Sequence, residues 1–160
     1  MPYAIFDLDN TISDDGWRIN EIDWSKDHPF ERYHRYHLLA GFDEFGNQRL
    51  VHELPENTQI VVFTARPEFY APITQEWLER NKIDCAALLM RPTDDHSHSI
   101  DLKQRQLRKF FKLMDAEPTD VLCAYDDRQD VVQMYRDHNI KGIHTCIHNV
   151  CAYTNPRKMR

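Results

Sequence analysis

Asp7-Leu8-Asp9-Asn10-Thr11 sets two carboxylates one residue apart, directly after the apolar run Tyr3-Ala4-Ile5-Phe6. That run reads as a buried strand, and the ends of such strands are where parallel α/β sheets bind ligands. Leu8 can point away while Asp7 and Asp9 lie near one another. Two adjacent anions repel unless a cation or a proton stands between them. The economical reading is a Mg²⁺ site with one carboxylate free to attack phosphorus.

Three later groups repeat the pattern of polar residues at the end of an apolar run. Thr64-Ala65-Arg66 follows Ile60-Val61-Val62-Phe63. A hydroxyl and backbone N–H groups at a strand end suit a phosphate oxygen, and Arg66 adds a planar cationic fork. The alternative is a threonine that merely caps a helix. Lys103 falls in the first turn of the next expected helix, against the helix dipole, which is unfavourable without an anionic partner. It could neutralise a phosphate and a carboxylate together, or be a solvated surface lysine. Asp126-Asp127 ends the fourth run, and acids there are costly unless they serve something. A Mg²⁺ shared with Asp7 would compensate them; alternatively one caps the following helix while the other faces the metal. Each part is common alone, but the ordered set is specific.

The elements that must position these residues alternate. Apolar runs at 3–8, 59–64, 85–90, 121–125 and 142–147 alternate with amphipathic segments. One helix is expected from Pro67 with Phe69, Ile73, Trp77 and Leu78, one from Asp101 with Leu102, Leu107, Phe110 and Phe111, and one over 129–138. Strand, helix, strand repeated in this way predicts an α/β fold, a three-layer Rossmann-like parallel sheet with right-handed crossovers. Residues 14–56 interrupt the alternation. They are polar, rich in His and aromatics, with Phe30, Tyr33, His34, His37 and Leu38 on one helical face. We read them as a small helical cap inserted after the first strand, above the metal site; the alternative is an ordinary crossover helix pair. Residues 1–160 are expected to form one domain.

A net charge of −6 excludes a chain that binds nucleic acid by bulk charge; a local basic patch and a metal would have to hold such a substrate. Cys85 and Cys123 lie in expected strands as small core residues. No secretory signal precedes the first strand, and no apolar run reaches the ~18 residues of a membrane span. The expectation is a reduced, cytoplasmic protein, in the host cytoplasm if phage-encoded. Two histidine clusters are discounted. His96-Ser97-His98 reads as a solvated loop. His144, Cys146 and His148, with Cys151 nearby, would share a strand face but are too spread out for a tight zinc site.

The ordered set Asp7-x-Asp9-x-Thr11, Thr64, Lys103 and Asp126-Asp127 resembles the haloacid dehalogenase superfamily of phosphatases and phosphotransferases. Leu89-Met90-Arg91-Pro92, its spacing to Lys103, and the stretch Tyr125-Asp126-Asp127-Arg128-Gln129-Asp130 through Arg136 look like the 3′-phosphatase domain of phage-type polynucleotide kinase-phosphatase. By this resemblance Asp7 is the nucleophile that becomes an aspartyl-phosphate, and Asp9 is the general acid and then the base. Thr64, Ala65 and Lys103 hold the phosphoryl group. Asp7, the Asp9 main-chain carbonyl and Asp126 ligate Mg²⁺, Asp127 is a second acidic contact, and Arg18 and Arg66 hold the substrate phosphate. Burial of Asp9 near other acids is expected to suit it to both proton-transfer steps.

The likeness breaks at Ser97-His98-Ser99, where family members often carry Arg-Pro-Asp, leaving Asp101 as the nearest acid. No Gly-x-x-x-x-Gly-Lys-Ser/Thr loop accompanies the set, so a kinase, if any, is a separate partner. The implied activity is a Mg²⁺-dependent phosphomonoesterase for the 3′-phosphates of nucleic-acid ends or nucleotides. The alternatives are a 5′-nucleotidase or small-metabolite phosphatase of the same fold, and an inactive binding protein on that scaffold. In the cap, Arg18, Arg32, Arg35, Trp17, Trp24, Tyr33 and Tyr36 either contact substrate or pack the cap's own core.

Overall fold

The computed structural model describes residues 1–35 and 43–148. His37, Leu38, Tyr36 and Cys151, and the side chains of His34 and Arg35, lie outside that description. Five strands form one parallel sheet: β1 (Tyr3–Phe6), β4 (Gln59–Pro67), β5 (Cys85–Arg91), β6 (Val121–Asp126) and β7 (Gly142–His144), in the spatial order β5-β4-β1-β6-β7. The helices between them are α3 (Ala71–Arg80), α4 (Ser99–Met114) and α5 (Gln129–Asp137).

Alternation along the strands divides the core into two halves. Ile5, Val61, Phe63, Leu89 and Ala124 pack with Leu107 and Phe110 of α4 and Val131, Met134 and Tyr135 of α5. Ala4, Phe6, Val62 and Cys123 pack on the other side with Trp77 and Leu78 of α3. Sheet and flanking helices make the three layers.

The chain leaves the central strand β1 toward β4 on one side and later returns on the other side as β6. Ligands bind at the carboxyl ends of strands where the order reverses in this way. The register enforces it. Phe6 pairs with Tyr125, and the Asp7 N–H donates to the Tyr125 carbonyl at 3.0 Å, so Asp7 and Asp126 end neighbouring strands side by side.

The insert departs from the purely helical reading. It contains a 3-10 helix (Gly16–Glu21), the short helices α1 (Glu31–Arg35) and α2 (Gln48–His52), and a two-stranded antiparallel ribbon of β2 (Ser13–Asp14) and β3 (Glu44–Phe45). Leu50, Val51 and Phe45 pack onto the same layer as α3. Trp24, Phe30 and Tyr33 form an edge-to-face chain, the small local core expected of most of its aromatics.

Two boundaries differ from the sequence reading. Pro67 ends β4 rather than opening a helix: its ψ of 143° is extended, a 3-10 turn (Glu68–Tyr70) follows, and Pro72 occupies the first turn of α3 instead. The strand stays extended because it carries Arg66 across to Asp9. Helix α4 begins at Ser99, so Lys103 lies in its second turn. The described cysteines Cys85, Cys123 and Cys146 are free thiols. Among the described residues no helix is long and apolar enough to cross a membrane.

Candidate active site

Two clusters meet at the carboxyl ends of β1, β4 and β6. The first contains Asp7, Asp126, Asp127 and Lys103. Carboxylate oxygens of the three acids lie within 4.8 Å of one another, and all three residues are buried. Lys103 reaches in from α4 and donates to Asp7 Oδ1 at 2.8 Å, Asp126 Oδ2 at 3.0 Å and the Phe63 carbonyl at 2.7 Å. It is a buried lysine, not a solvated one. Thr11 Oγ1 donates to the other Asp7 oxygen at 2.9 Å.

Three carboxylates face one ammonium, and the titration behaviour reflects the imbalance. Burial, reinforced by the Asp126 and Asp9 charges, pushes Asp7 up to about 7 despite Lys103. Burial and then the Asp7 and Asp126 charges push Asp127 up to about 10. Burial opposes the Lys103 charge, but Asp126 and Asp7 outweigh it and hold its pKa above the ordinary lysine value. An all-oxygen set of crowded, buried acids, two of which, Asp7 and Asp127, are pushed to hold protons, fits a hard divalent cation.

The second cluster surrounds Asp9. Arg18 Nη2 donates to Asp9 Oδ1 at 2.6 Å and Arg66 Nη2 to the same oxygen at 2.7 Å, with Arg66 Nε 3.2 Å from both oxygens. The side chain of Asp9 thus lies among cations, not among acids as the sequence suggested, and outside the three-carboxylate group. Asp127, expected as a peripheral contact, belongs to that group instead.

Behind the arginines sits Asp43, which sequence reasoning missed. Its carboxylate accepts from Arg18 Nη2 at 2.7 Å, Arg66 Nη2 at 3.3 Å, Ser13 Oγ at 2.7 Å and Trp17 Nε1 at 2.6 Å, while its carbonyl accepts from Trp77 Nε1 at 2.7 Å. Both guanidiniums are fully buried, and Arg18 stacks 4.3 Å above the Tyr33 ring centroid. Burial opposes the Arg18 charge; Tyr33, Asp9 and Asp43 more than restore it. Arg18 Nη1 is buried with no hydrogen-bond partner among the described residues.

Thr64 and Ala65 lie between the clusters on β4. Thr64 is buried, and its hydroxyl accepts the Arg66 N–H at 3.1 Å, which leaves its own proton to donate. The Ala65 carbonyl accepts from Arg91 Nε at 3.1 Å. Asn10, also missed, adopts φ 65° in the turn after β1. Its amide donates to Asp127 Oδ2 at 3.1 Å, and its oxygen accepts the N–H groups of Ile147 and His148. The signal available in sequence was an Asn beside the Asp pair, a residue that tolerates left-handed backbone.

The discounted clusters come apart. Strand β7 ends at His144, whose Nε2 lies 3.0 Å from the Asp127 carbonyl, and Cys146 is exposed. His148 turns to the insert, 2.7 Å from Asp14 Oδ1. His96 stacks on His28 at 3.9 Å. Asp101 is exposed and does not replace the missing family acid as a partner of Lys103, whose side chain is held by the two site carboxylates and the β4 carbonyl.

The profile of the "Polynucleotide kinase PNKP phosphatase domain" family matches residues 2–147. No curated protein gives a significant match. Among solved structures, a chain of the Pnkp1/Rnl/Hen1 complex superposes with a TM-score of 0.66 at 22% identity, covering 91% of this chain and 45% of that one. This chain therefore spans less than half of that neighbour. A haloacid dehalogenase-like hydrolase from Streptococcus pneumoniae superposes with a TM-score of 0.62 at 15% identity, covering 88% and 82%. A HAD-superfamily hydrolase from Geobacter sulfurreducens gives 0.59 at 10%, covering 88% and 84%. At such identities these neighbours establish the fold. The family profile, spanning nearly the whole chain, goes further: the chain belongs to the phosphatase-domain family of polynucleotide kinase PNKP, phosphoric monoester hydrolases of the haloacid dehalogenase type.

Proposed function

We propose that this chain is a Mg²⁺-dependent phosphomonoesterase that works through an aspartyl-phosphate on Asp7 and removes 3′-phosphates from nucleic-acid ends or nucleotides. The observation that carries this reading is the buried group Asp7, Asp126 and Asp127, with Lys103 bound to the first two, next to an aspartate held by two arginines. Asp7, Asp126 and Asp127 are the side chains that would hold the ion. When bound, Mg²⁺ offsets the repulsion between a phosphate dianion and the attacking carboxylate.

The remaining steps belong to the chain's own residues. Thr11 and Lys103 fix the Asp7 carboxylate by one hydrogen bond to each oxygen, which aligns it for in-line attack. Lys103 and the Thr64 hydroxyl supply donors to the phosphoryl oxygens. Asp7 Oδ forms a bond to phosphorus as the ester oxygen leaves; Asp9, released by Arg18 and Arg66 as they take the phosphate and then protonated from solvent, gives its proton to that oxygen. Asp9 then takes a proton from the water that cleaves the acyl-phosphate, releasing inorganic phosphate and restoring Asp7. Arg18 and Arg66, already aimed at Asp9, are placed to hold the incoming phosphate there. The unpartnered Nη1 of Arg18 is a spare donor for it.

Residues 14–56 act in this reading as a cap within a single domain, delivering Arg18 to the site. Free thiols support a reducing compartment, the cytoplasm. The neighbour's assembly with Rnl and Hen1 supports a partner-bound form of this chain as well. The test is turnover of a 3′-phosphorylated oligonucleotide, a 3′-mononucleotide, a 5′-mononucleotide and sugar phosphates, with Mg²⁺ and with EDTA. Metal-dependent preference for the two 3′-phosphates is the expected result. Equal or better turnover of the 5′-nucleotide would replace the substrate assignment, and no turnover of any would remove the enzyme.

A further inference from the structure

The outer face of α4 carries a charge pattern that the site does not use. Arg105, Arg108, Lys109 and Lys112 recur at i, i+3, i+4 and i+7, one face of a helix. Lys103, Gln106, Leu107 and Phe110 face the interior. The four cations span about 10 Å of helix axis, on a face of α4 open to solvent.

In a chain of net charge −6 most of this stripe is uncompensated. Three exposed arginines elsewhere, by contrast, pair with acids: Arg49 with Glu53, Arg80 with Glu76, Arg128 with Asp130. Among the described residues Arg108, Lys109 and Lys112 have no carboxylate within ion-pair distance. Arg105 is the exception, and it fixes the start of the stripe: it binds Asp95 at 2.6 Å and Ser97, in the loop that joins the carboxyl end of β5 to α4. The stripe therefore begins at the active-site end of the sheet and leads away from it on the helix that also delivers Lys103.

We propose that this face of α4 binds the sugar-phosphate backbone of a single nucleic-acid strand whose 3′ end occupies the site, several nucleotides from the scissile phosphate. The inference rests on the reading of the site as one for a nucleic-acid end. Charge complementarity selects a polyanion, and continuity with the site selects the substrate strand over an acidic protein.

The test uses the full chain with Mg²⁺, a 3′-mononucleotide and 3′-phosphorylated single strands of roughly three to twelve nucleotides. The variants are R108E/K109E/K112E and the charge-removing R108Q/K109Q/K112Q, with unfolding midpoints measured to establish that both fold. In the unaltered protein KM is expected to fall about tenfold from the mononucleotide to the longest strand, and both variants to lose most of that gain with kcat and mononucleotide KM unchanged. The salt slope of strand binding should flatten by about 2 log units per decade, at ~0.7 for each lost phosphate contact. A KM indifferent to length, or the same gain in both variants, overturns the proposal.

If 3′-phosphates are not hydrolysed at all, the functional reading fails by itself. Fluorescence anisotropy with an unphosphorylated strand then tests α4 directly: weaker binding by the variants supports the stripe, and equal binding rejects it. Polyglutamate of matched charge, if it binds as tightly as the strand at the same salt, would reassign the face to an acidic protein.

Discussion

The two clusters at the mouth of the sheet are built from similar residues and balanced differently. Around Asp7, three carboxylates confront one ammonium; around Asp9, two carboxylates confront two guanidiniums. The first is short of positive charge, and Asp7 and Asp127 hold protons well above the ordinary carboxylate range. The second is balanced in charge, with Arg18 Nη1 left as a spare donor. A cluster short of positive charge is suited to receive a cation, and a charge-balanced one to hold Asp9 and its two arginines in place before substrate arrives.

The largest expected effect breaks the two apart. Asp7→Asn should lower kcat by at least about 10³-fold while raising the unfolding midpoint of the metal-free protein at pH 8, because it removes one of the crowded anions. Wild-type turnover in that variant would eliminate the nucleophile. Asp43→Asn should do the reverse to stability, since two buried guanidiniums would then share one carboxylate. Its turnover should fall about 10- to 100-fold through misplacement of Arg18 and Arg66, with a pH-rate profile that Asp43→Glu partly restores. An unchanged midpoint and rate would mean that the arginines do not need their rear support.

Metal sharpens the contrast further. A carboxyl in the unfolded chain loses its proton near the ordinary value of 3.8, whereas folded Asp7 keeps its proton to about 7 and Asp127 to about 10. Between these values the folded chain binds more protons, so stability of the metal-free protein should fall as pH rises from about 4 through neutrality. Mg²⁺ held at one concentration, about a hundredfold above its Kd at about pH 7, should restore about 2.7 kcal/mol there, with the gain in midpoint growing as pH rises; a pH-independent gain would place the ion elsewhere. The smallest effect concerns Asp101, exposed on α4: Asp101→Asn should change kcat/KM by less than about twofold, and a larger loss would give Lys103 a partner that the resting structure lacks.

What the sequence made legible follows from locality. Each strand carries its own polar terminus, so Asp7, Thr64 and Asp126 could be located from apolar runs alone, and a parallel sheet gathers those ends on one side. Lys103 was legible through spacing, though its helix starts earlier than the first apolar residue suggests. Asp43 was not legible. It lies between a segment of weak periodicity and a two-residue strand, and its importance comes from donors 25, 26, 30 and 23 positions away. The surroundings of Asp9 were misread for the same reason: the arginines that hold it arrive through the insert and the unexpectedly long β4, neither of which announces its path in composition.

The left-handed turn at Asn10 narrows what evolution or design could write beside Asp7 and Asp9. Glycine would accept the dihedral but leave the Asp127 carboxylate and two amides, those of Ile147 and His148, without the side chain that now serves them. Aspartate would accept it too, yet would set a fourth anion against Asp127 and could donate nothing when ionised. A β-branched residue would strain the backbone. Shape, polarity and charge neutrality converge there on a single amide, which makes this unreactive position as constrained in its alphabet as the acids on either side.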